Sequence, residues 1–387
     1  MATAKKNQPA ERPLTVDEMA RAGSTAATGE VPADIAELLA TQRLHFAGLD
    51  KAPQAAKVAE HGDGSWELAL PAGAQLGRPG KTGERLPLAE KAKLAGKGDV
   101  AGKGGGAGHT EPMRPDWSTQ TYQPYAASQS FRHSPMRRRK GTQLEPYYGV
   151  YGADDRSVYY PSTYPWRCIG RIFTWTNWAG GGGWTWWDSG VLVGPRHVLT
   201  AGHVCPWGAG SWAMKFVPSY WDGVPVAGGG AVSYASDYRG WNTDETVAAN
   251  DYAILRLYDP VGSWLGWMGT KTYDSGWNGG NYWTLAGYPA AIAGGERPSD
   301  QSGIPVLDTD GGDDNSIEIE HHGDATGGDS GGPFFGFWND GPYAVGVTSG
   351  GERISGTPFG WWDEDNNIEA AGAGMVDLVR WGLTNWP

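Results

Sequence analysis

Three residues spread over 128 positions could together break an amide bond: His203, Asp251 and Ser330. Ser330 lies in Gly327-Gly328-Asp329-Ser330-Gly331-Gly332-Pro333. Glycines on both sides leave its hydroxyl open and let backbone N–H groups approach a developing oxyanion. A serine nucleophile also needs a base for its proton and a group that orients that base. His203 ends the run Gly190-Val191-Leu192-Val193-Gly194-Pro195-Arg196-His197-Val198-Leu199-Thr200-Ala201-Gly202-His203, which reads as two short apolar strands joined by a Gly-Pro turn. Asp251 opens the apolar stretch Tyr252-Ala253-Ile254-Leu255-Arg256-Leu257. A carboxylate at such a strand entry needs a partner, and an imidazole N–H both satisfies it and fixes the histidine tautomer. Taken singly, each residue also fits a plain role: a packed core histidine, a strand-entry aspartate, a glycine turn. The combination is what points to nucleophilic catalysis.

The elements that must position these residues lie in the second part of the chain. Of 387 residues, the first 140 carry 20 Lys/Arg against 15 Asp/Glu, whereas the rest carry 11 against 28. All but two of the 21 tryptophans follow residue 140, the exceptions being Trp66 and Trp117. Apolar material for a core is therefore concentrated late. Residues 1–140, rich in Ala, Gly and Lys, have too little of it to offset the entropy of ordering a large core of their own. We read them as a largely disordered pro-segment and linker, with the basic junction Arg137-Arg138-Arg139-Lys140 as the expected processing site. After residue 140, short runs of Val, Ile, Thr, Tyr and Trp alternate with Gly, Pro, Asn and Asp clusters. That pattern predicts an all-β fold, with Met375 to Trp381 as a short C-terminal helix. Lys97 to Gly108 lacks the spacing of a phosphate loop, which excludes nucleotide binding. The acidic run 308–314 lacks the spaced ligands of a calcium loop.

The order His203, Asp251, Ser330 is one of the known orders for this constellation. With Leu199-Thr200-Ala201-Gly202 before the histidine and the Gly328–Pro333 run around the serine, residues 147–387 resemble the chymotrypsin-like (trypsin-like) serine peptidases. The resemblance implies two antiparallel β-barrels with the active site in their cleft, His203 and Asp251 from the first and Ser330 from the second. It also implies an oxyanion hole of the Gly328 and Ser330 N–H groups, and a substrate strand along Ser349, Gly350 and Gly351. Tyr151-Gly152-Ala153-Asp154-Asp155-Arg156 and Tyr164-Pro165-Trp166-Arg167 are similar to the mature N-terminal region of bacterial glutamyl endopeptidases. Where that branch reads glutamate with a histidine, this chain has Thr348. Six residues before the nucleophile stands Asp324, at the pocket floor that selects Arg or Lys in trypsin-like relatives, or alternatively a structural aspartate. The expectation leans to Arg or Lys before the scissile bond, with glutamate as the alternative. Asp329 either forms an ion pair beside the oxyanion hole or is a simple turn residue.

The resemblance also places a half-cystine beside the histidine, here Cys205. Asp188 stands where its usual partner would, which leaves Cys168 as the candidate mate; two buried thiols are the alternative. The expected enzyme needs no metal or organic cofactor, acts on protein or peptide substrates, and is a monomer that binds neither nucleic acid nor membrane. Met1 opens no signal peptide, since Lys5 and Lys6 run into Asn, Gln, Pro and Glu, yet the acidic, Trp-rich second part suggests a secreted protein. A non-enzymatic rival also exists: Trp175, Trp178, Trp184, Trp186 and Trp187 could form a sugar-stacking platform.

Overall fold

The second part of the chain folds into two β-rich halves, and the first closes on itself. The computed structural model describes residues 12–40, 108–127, 148–176, 184–210, 212–243, 247–354 and 364–387, with four short strands between residues 45 and 85. Six antiparallel strands form the first barrel: β1 (Ile169–Trp175), β2 (Trp186–Gly194), β3 (His197–Thr200), β4 (Ala213–Pro218), β5 (Ser233–Gly240) and β6 (Ala253–Leu257). Their order is β4-β1-β2-β3-β6-β5, and a further β4–β5 pairing closes the ring. Val191, Leu192, Val193, Val198, Leu199, Ile254 and Leu255 are all wholly buried, so these strands read as continuous apolar runs.

The second barrel uses β7 (Gly269–Lys271), β8 (Trp283–Gly287), β9 (Ser299–Ile304), β10 (Val306–Gly311), β11 (Ser316–His321), β12 (Pro333–Trp338), β13 (Gly341–Ile354) and β14 (Glu364–Gly372). Its order is β10-β11-β14-β13-β12-β8-β9, with β7 beside β13. The two ends of that path are joined by a single residue, Pro305. Its core is aromatic: Trp277, Trp283, Trp338 and Phe334 stack or meet edge on, with ring centres 5.4–6.0 Å apart. Burial of one such side chain stabilises by about 1.5–3 kcal/mol. The C-terminal helix Ala373–Asn385 buries Met375, Val376, Leu378 and Val379 against the first barrel.

Two stretches of the first 140 residues are not poorly structured. Thr15 and Glu18 cap the helix Val16–Ala22 reciprocally, and Met19 of that helix is 2% exposed within the main core. Residues 108–127 add His109–Thr110 to the edge of β7, and Trp166 Nε1 donates to Thr121 O at 3.1 Å. The composition argument concerned a separate core, which these two stretches do not build. Met19 joins the main core of the second part instead. The basic junction 137–140 lies outside the described residues.

Candidate active site

His203 sits on a short 3-10 turn, Gly202–Val204, just past the end of β3, and Asp251 lies two residues before β6. Because β3 and β6 are neighbours, with Thr200 opposite Ala253, the two side chains are delivered to one end of the barrel. Asp251 is 1% exposed. Its Oδ1 accepts the His203 backbone N–H at 2.8 Å, and its Oδ2 faces His203 Nδ1 at 2.7 Å. Ser349 adds a third hydrogen bond, donating its hydroxyl to Oδ2 at 2.5 Å. Three hydrogen bonds thus satisfy this buried carboxyl group. With Nδ1 facing that carboxylate as donor, Nε2 is left as the acceptor, and it lies 2.9 Å from Ser330 Oγ.

The nucleophile turn is tied down from both barrels. Ser189 N donates to Ser330 O at 2.8 Å, and Ser189 Oγ to Gly328 O at 2.7 Å. Gly328 has φ +99°, and a Cβ there would lie 2.5 Å from Tyr288 O; glycine is required. Within the turn, the N–H groups of Asp329, Gly331 and Gly332 bond to Thr326 O, Thr348 O and Asp329 O. Those of Gly328 and Ser330 have no acceptor among the described residues. Two unclaimed N–H groups beside a serine hydroxyl can stabilise an oxyanion.

Asp329 is completely buried. Its Oδ2 accepts from Arg156 Nη1 and from Thr326 N, both at 3.0 Å. Arg156 also forks onto Asp154, at 3.0 and 2.8 Å, so the Asp154-Asp155-Arg156 run supplies the cation beneath the nucleophile turn. Burial pushes Asp329 up to about 6 against the pull of that guanidinium. Asp188 is a second buried carboxyl at the centre. Burial pushes it up to about 7, opposed by His203 and by Ser330 close to it.

Asp324 is held in the way the structural alternative expects. Asp324 does not face an open floor: its Oδ1 accepts the Tyr151 N–H at 2.8 Å and its Oδ2 the Asp155 N–H at 2.9 Å. It is a structural carboxylate that fastens residues 151–155 under the pocket. Thr348 is buried, with its hydroxyl toward Gly332 O and Glu369 Oε1 at 3.3 and 3.4 Å. Behind it His321 Nε2 meets Glu369 Oε1 at 2.9 Å, and His321 Nδ1 accepts the Gly323 N–H at 2.9 Å. Burial lowers His321 to about 3 and holds Glu369 well above the usual carboxylate range. Gly350 and Gly351 pair with Ile368 and Asn367 along β13 and β14.

Cys168 and Cys205 are two separate buried thiols, not a disulfide. Cys168 ends the turn before β1 and directs its Sγ to Leu265 O at 3.8 Å, and burial pushes its thiol up to about 12. The tryptophan group forms no open platform. Trp175 and Trp184 meet edge on at 5.8 Å, and Trp186 Nε1 donates to Val204 O at 3.1 Å. Trp187 is 38% exposed, and Trp178 lies outside the described residues.

Sequence reasoning did not find Tyr148. Its hydroxyl touches Ser330 Oγ and donates to Ser349 O at 2.9 Å. Its neighbour Gly149 is held by Asn367, which accepts the Gly149 N–H at 2.7 Å and donates to its carbonyl at 2.8 Å. A tyrosine pair at the border of the first part was the available signal, but nothing in its spacing points to a nucleophile.

The sequence model of the trypsin family matches residues 171–360. A solved Glu endopeptidase in complex with MPD shares 19% identity over 61% of this chain and 100% of its own, with a TM-score of 0.46. Protease Anisep from Arthrobacter nicotinovorans shares 22% over 56% and 93%, with a TM-score of 0.40. The thermostable serine protease AL20, from an extremophilic microorganism, shares 22% over 57% and 98%, with a TM-score of 0.42. No curated protein matches the chain.

Proposed function

We propose that the chain carries a serine endopeptidase domain of the trypsin family and hydrolyses peptide bonds through an acyl-enzyme, with His203, Asp251 and Ser330 as its catalytic residues. One observation carries this reading: Oδ2, Nδ1, Nε2 and Oγ follow one another across the cleft at 2.7 and 2.9 Å. Ser330 Oγ attacks the substrate carbonyl carbon while His203 Nε2 takes its proton. Asp251 keeps the ring in the required tautomer and stabilises the imidazolium. The Gly328 and Ser330 N–H groups receive the oxyanion, and one such donor is worth about 10²–10³ in rate. His203 then protonates the leaving amine, and water releases the acyl group by the same steps in reverse. Every bond made or broken is served by this chain's own side chains and backbone.

Protein or peptide substrates would lie along Ser349–Gly351 as an added strand. Asp324 is engaged by two backbone N–H groups, and Arg156, the cation beneath the nucleophile turn, is held by Asp154, Asp329 and Thr326. We further propose that the enzyme is a secreted monomer made as a precursor. Ser330→Ala in a processed sample is expected to remove peptide hydrolysis, a loss of about 10⁶ in kcat by analogy with other serine enzymes. Hydrolysis that survives this change would end the assignment.

A further inference from the structure

We propose that Tyr148 is an internal ligand of the substrate pocket: in the uncut chain its phenol blocks Ser330, and the space it fills is the pocket for an uncharged aromatic side chain. The proposal rests on the peptidase reading above and adds the state of the uncut chain and the class of side chain accepted.

The first part of the argument concerns position. Gly149 is fixed at Asn367 and also accepts the Ala325 N–H at 3.1 Å, while Tyr151 N and Asp155 N close on Asp324. Tyr151 stacks on His322 with ring centres 4.4 Å apart. The backbone at residue 149 therefore lies at the pocket floor, and the Tyr148 hydroxyl lies at the nucleophile. The ring must span the distance between them. A substrate side chain would enter the same space from the opposite end, with its backbone at Ser330.

The second part concerns protons. A phenol carries one, and Ser349 O, which can only accept, takes it. The contact between Tyr148 and Ser330 then requires the serine hydroxyl to donate to the phenol oxygen. That is the proton His203 Nε2 must remove. Tyr148 thus excludes the substrate and also turns the serine O–H away from its base. Asp188, close to the same hydroxyl, cannot relieve this, because a carboxylate there would also draw the proton from His203.

The third part concerns chemistry. Among the described residues, Tyr148 is the side chain placed against both Ser330 Oγ and Ser349 O, and it is neutral and aromatic. Of the charged groups that hold residues 149–156, Asp324 accepts two backbone N–H groups and Arg156 is paired with Asp154 and Asp329.

The test uses the full chain, with intact mass confirming that it is uncut, and a fluorophosphonate probe that labels an activated serine. Tyr148→Gly is expected to label about 10- to 100-fold faster than the wild type, the scale set by burial of one aromatic ring. Tyr148→Phe keeps the ring but frees the serine proton, and is expected to fall between them. Adding p-cresol to Tyr148→Gly should slow labelling again, which a merely structural role for Tyr148 would not produce. On Tyr148→Gly, peptides with Tyr or Phe before the scissile bond should exceed those with Arg or Glu by at least about 10-fold in kcat/KM. Equal labelling of uncut wild type, Tyr148→Phe and Tyr148→Gly would overturn the blocking role. A preference for Arg or Glu would overturn the pocket assignment. Failure of the peptidase reading looks different: no variant labels above the Ser330→Ala control, even after the first part is removed.

Discussion

Replacing Arg156 by methionine should cost more stability as the pH rises, and the structure sets the size of that slope. The Arg156 side chain is 1% exposed and faces Asp329, which is completely buried. A carboxyl whose folded value exceeds the unfolded value of about 3.9 keeps a proton that the unfolded chain has released, so it lowers stability with rising pH across that window. In the wild type the window closes at about 6, where Arg156 makes ionisation favourable. Without the guanidinium it extends upward. Each further pH unit for which Asp329 is held neutral costs about 1.4 kcal/mol, or about 3 kcal/mol between pH 6 and 8. Lost hydrogen bonds to Thr326 and Asp154 add about 1–2 kcal/mol at any pH. Arg156→Met should therefore destabilise by about 1–2 kcal/mol at pH 5 and about 4–5 at pH 8, a range that matches the breaking of other buried pairs. Urea unfolding at pH 5, 6.5 and 8, in a Ser330→Ala background that cannot digest itself, measures both ends. A destabilisation that is the same at all three would refute the reasoning, since it would mean that Asp329 ionises without Arg156 or never ionises with it.

Two further outcomes follow from the same network of buried groups. Asp251→Asn should leave the fold intact but lower kcat by about 10⁴, because an amide presents the wrong partner to Nδ1; steady-state kinetics on a processed sample would show it, and a loss below 10-fold would contradict the role given to Asp251. His321, wholly buried and lowered to about 3, should remain the neutral Nε2–H tautomer from pH 8 down to about 4. Between its unfolded value and that lowered one the unfolded chain binds a proton the native state refuses, so this residue lowers stability as the pH falls. Imidazole ¹⁵N shifts in the Ser330→Ala protein read the tautomer directly, and a titration near pH 6.5 would refute it.

The meeting of His203, Asp251 and Ser330 was legible in the sequence because its constraints are local. Each of the three residues sits in a stretch whose neighbours must be small, apolar or glycine for the side chain to reach the cleft, and such demands leave a mark on adjacent positions. Gly328 shows the mark most clearly, since its positive φ and the nearby Tyr288 O admit no side chain. The barrels were legible for a related reason, through short β-branched and aromatic runs bounded by turn residues. What the sequence did not disclose depends on pairs far apart. The charge on Asp324 suggests a selective floor until Tyr151 N and Asp155 N are found on its two oxygens, from 169 and more positions away. Two cysteines invite a bridge until both are seen as free, buried thiols. Likewise a segment too poor in apolar residues for its own core can still be ordered by another's, as Met19 and Thr110 are. The physical rule behind these departures is that a backbone N–H has no signature in the sequence, yet here backbone donors decide which carboxylate is free. On the proposal made for Tyr148, selectivity is then set less by the charge that Asp324 carries than by the segment beginning at Tyr148.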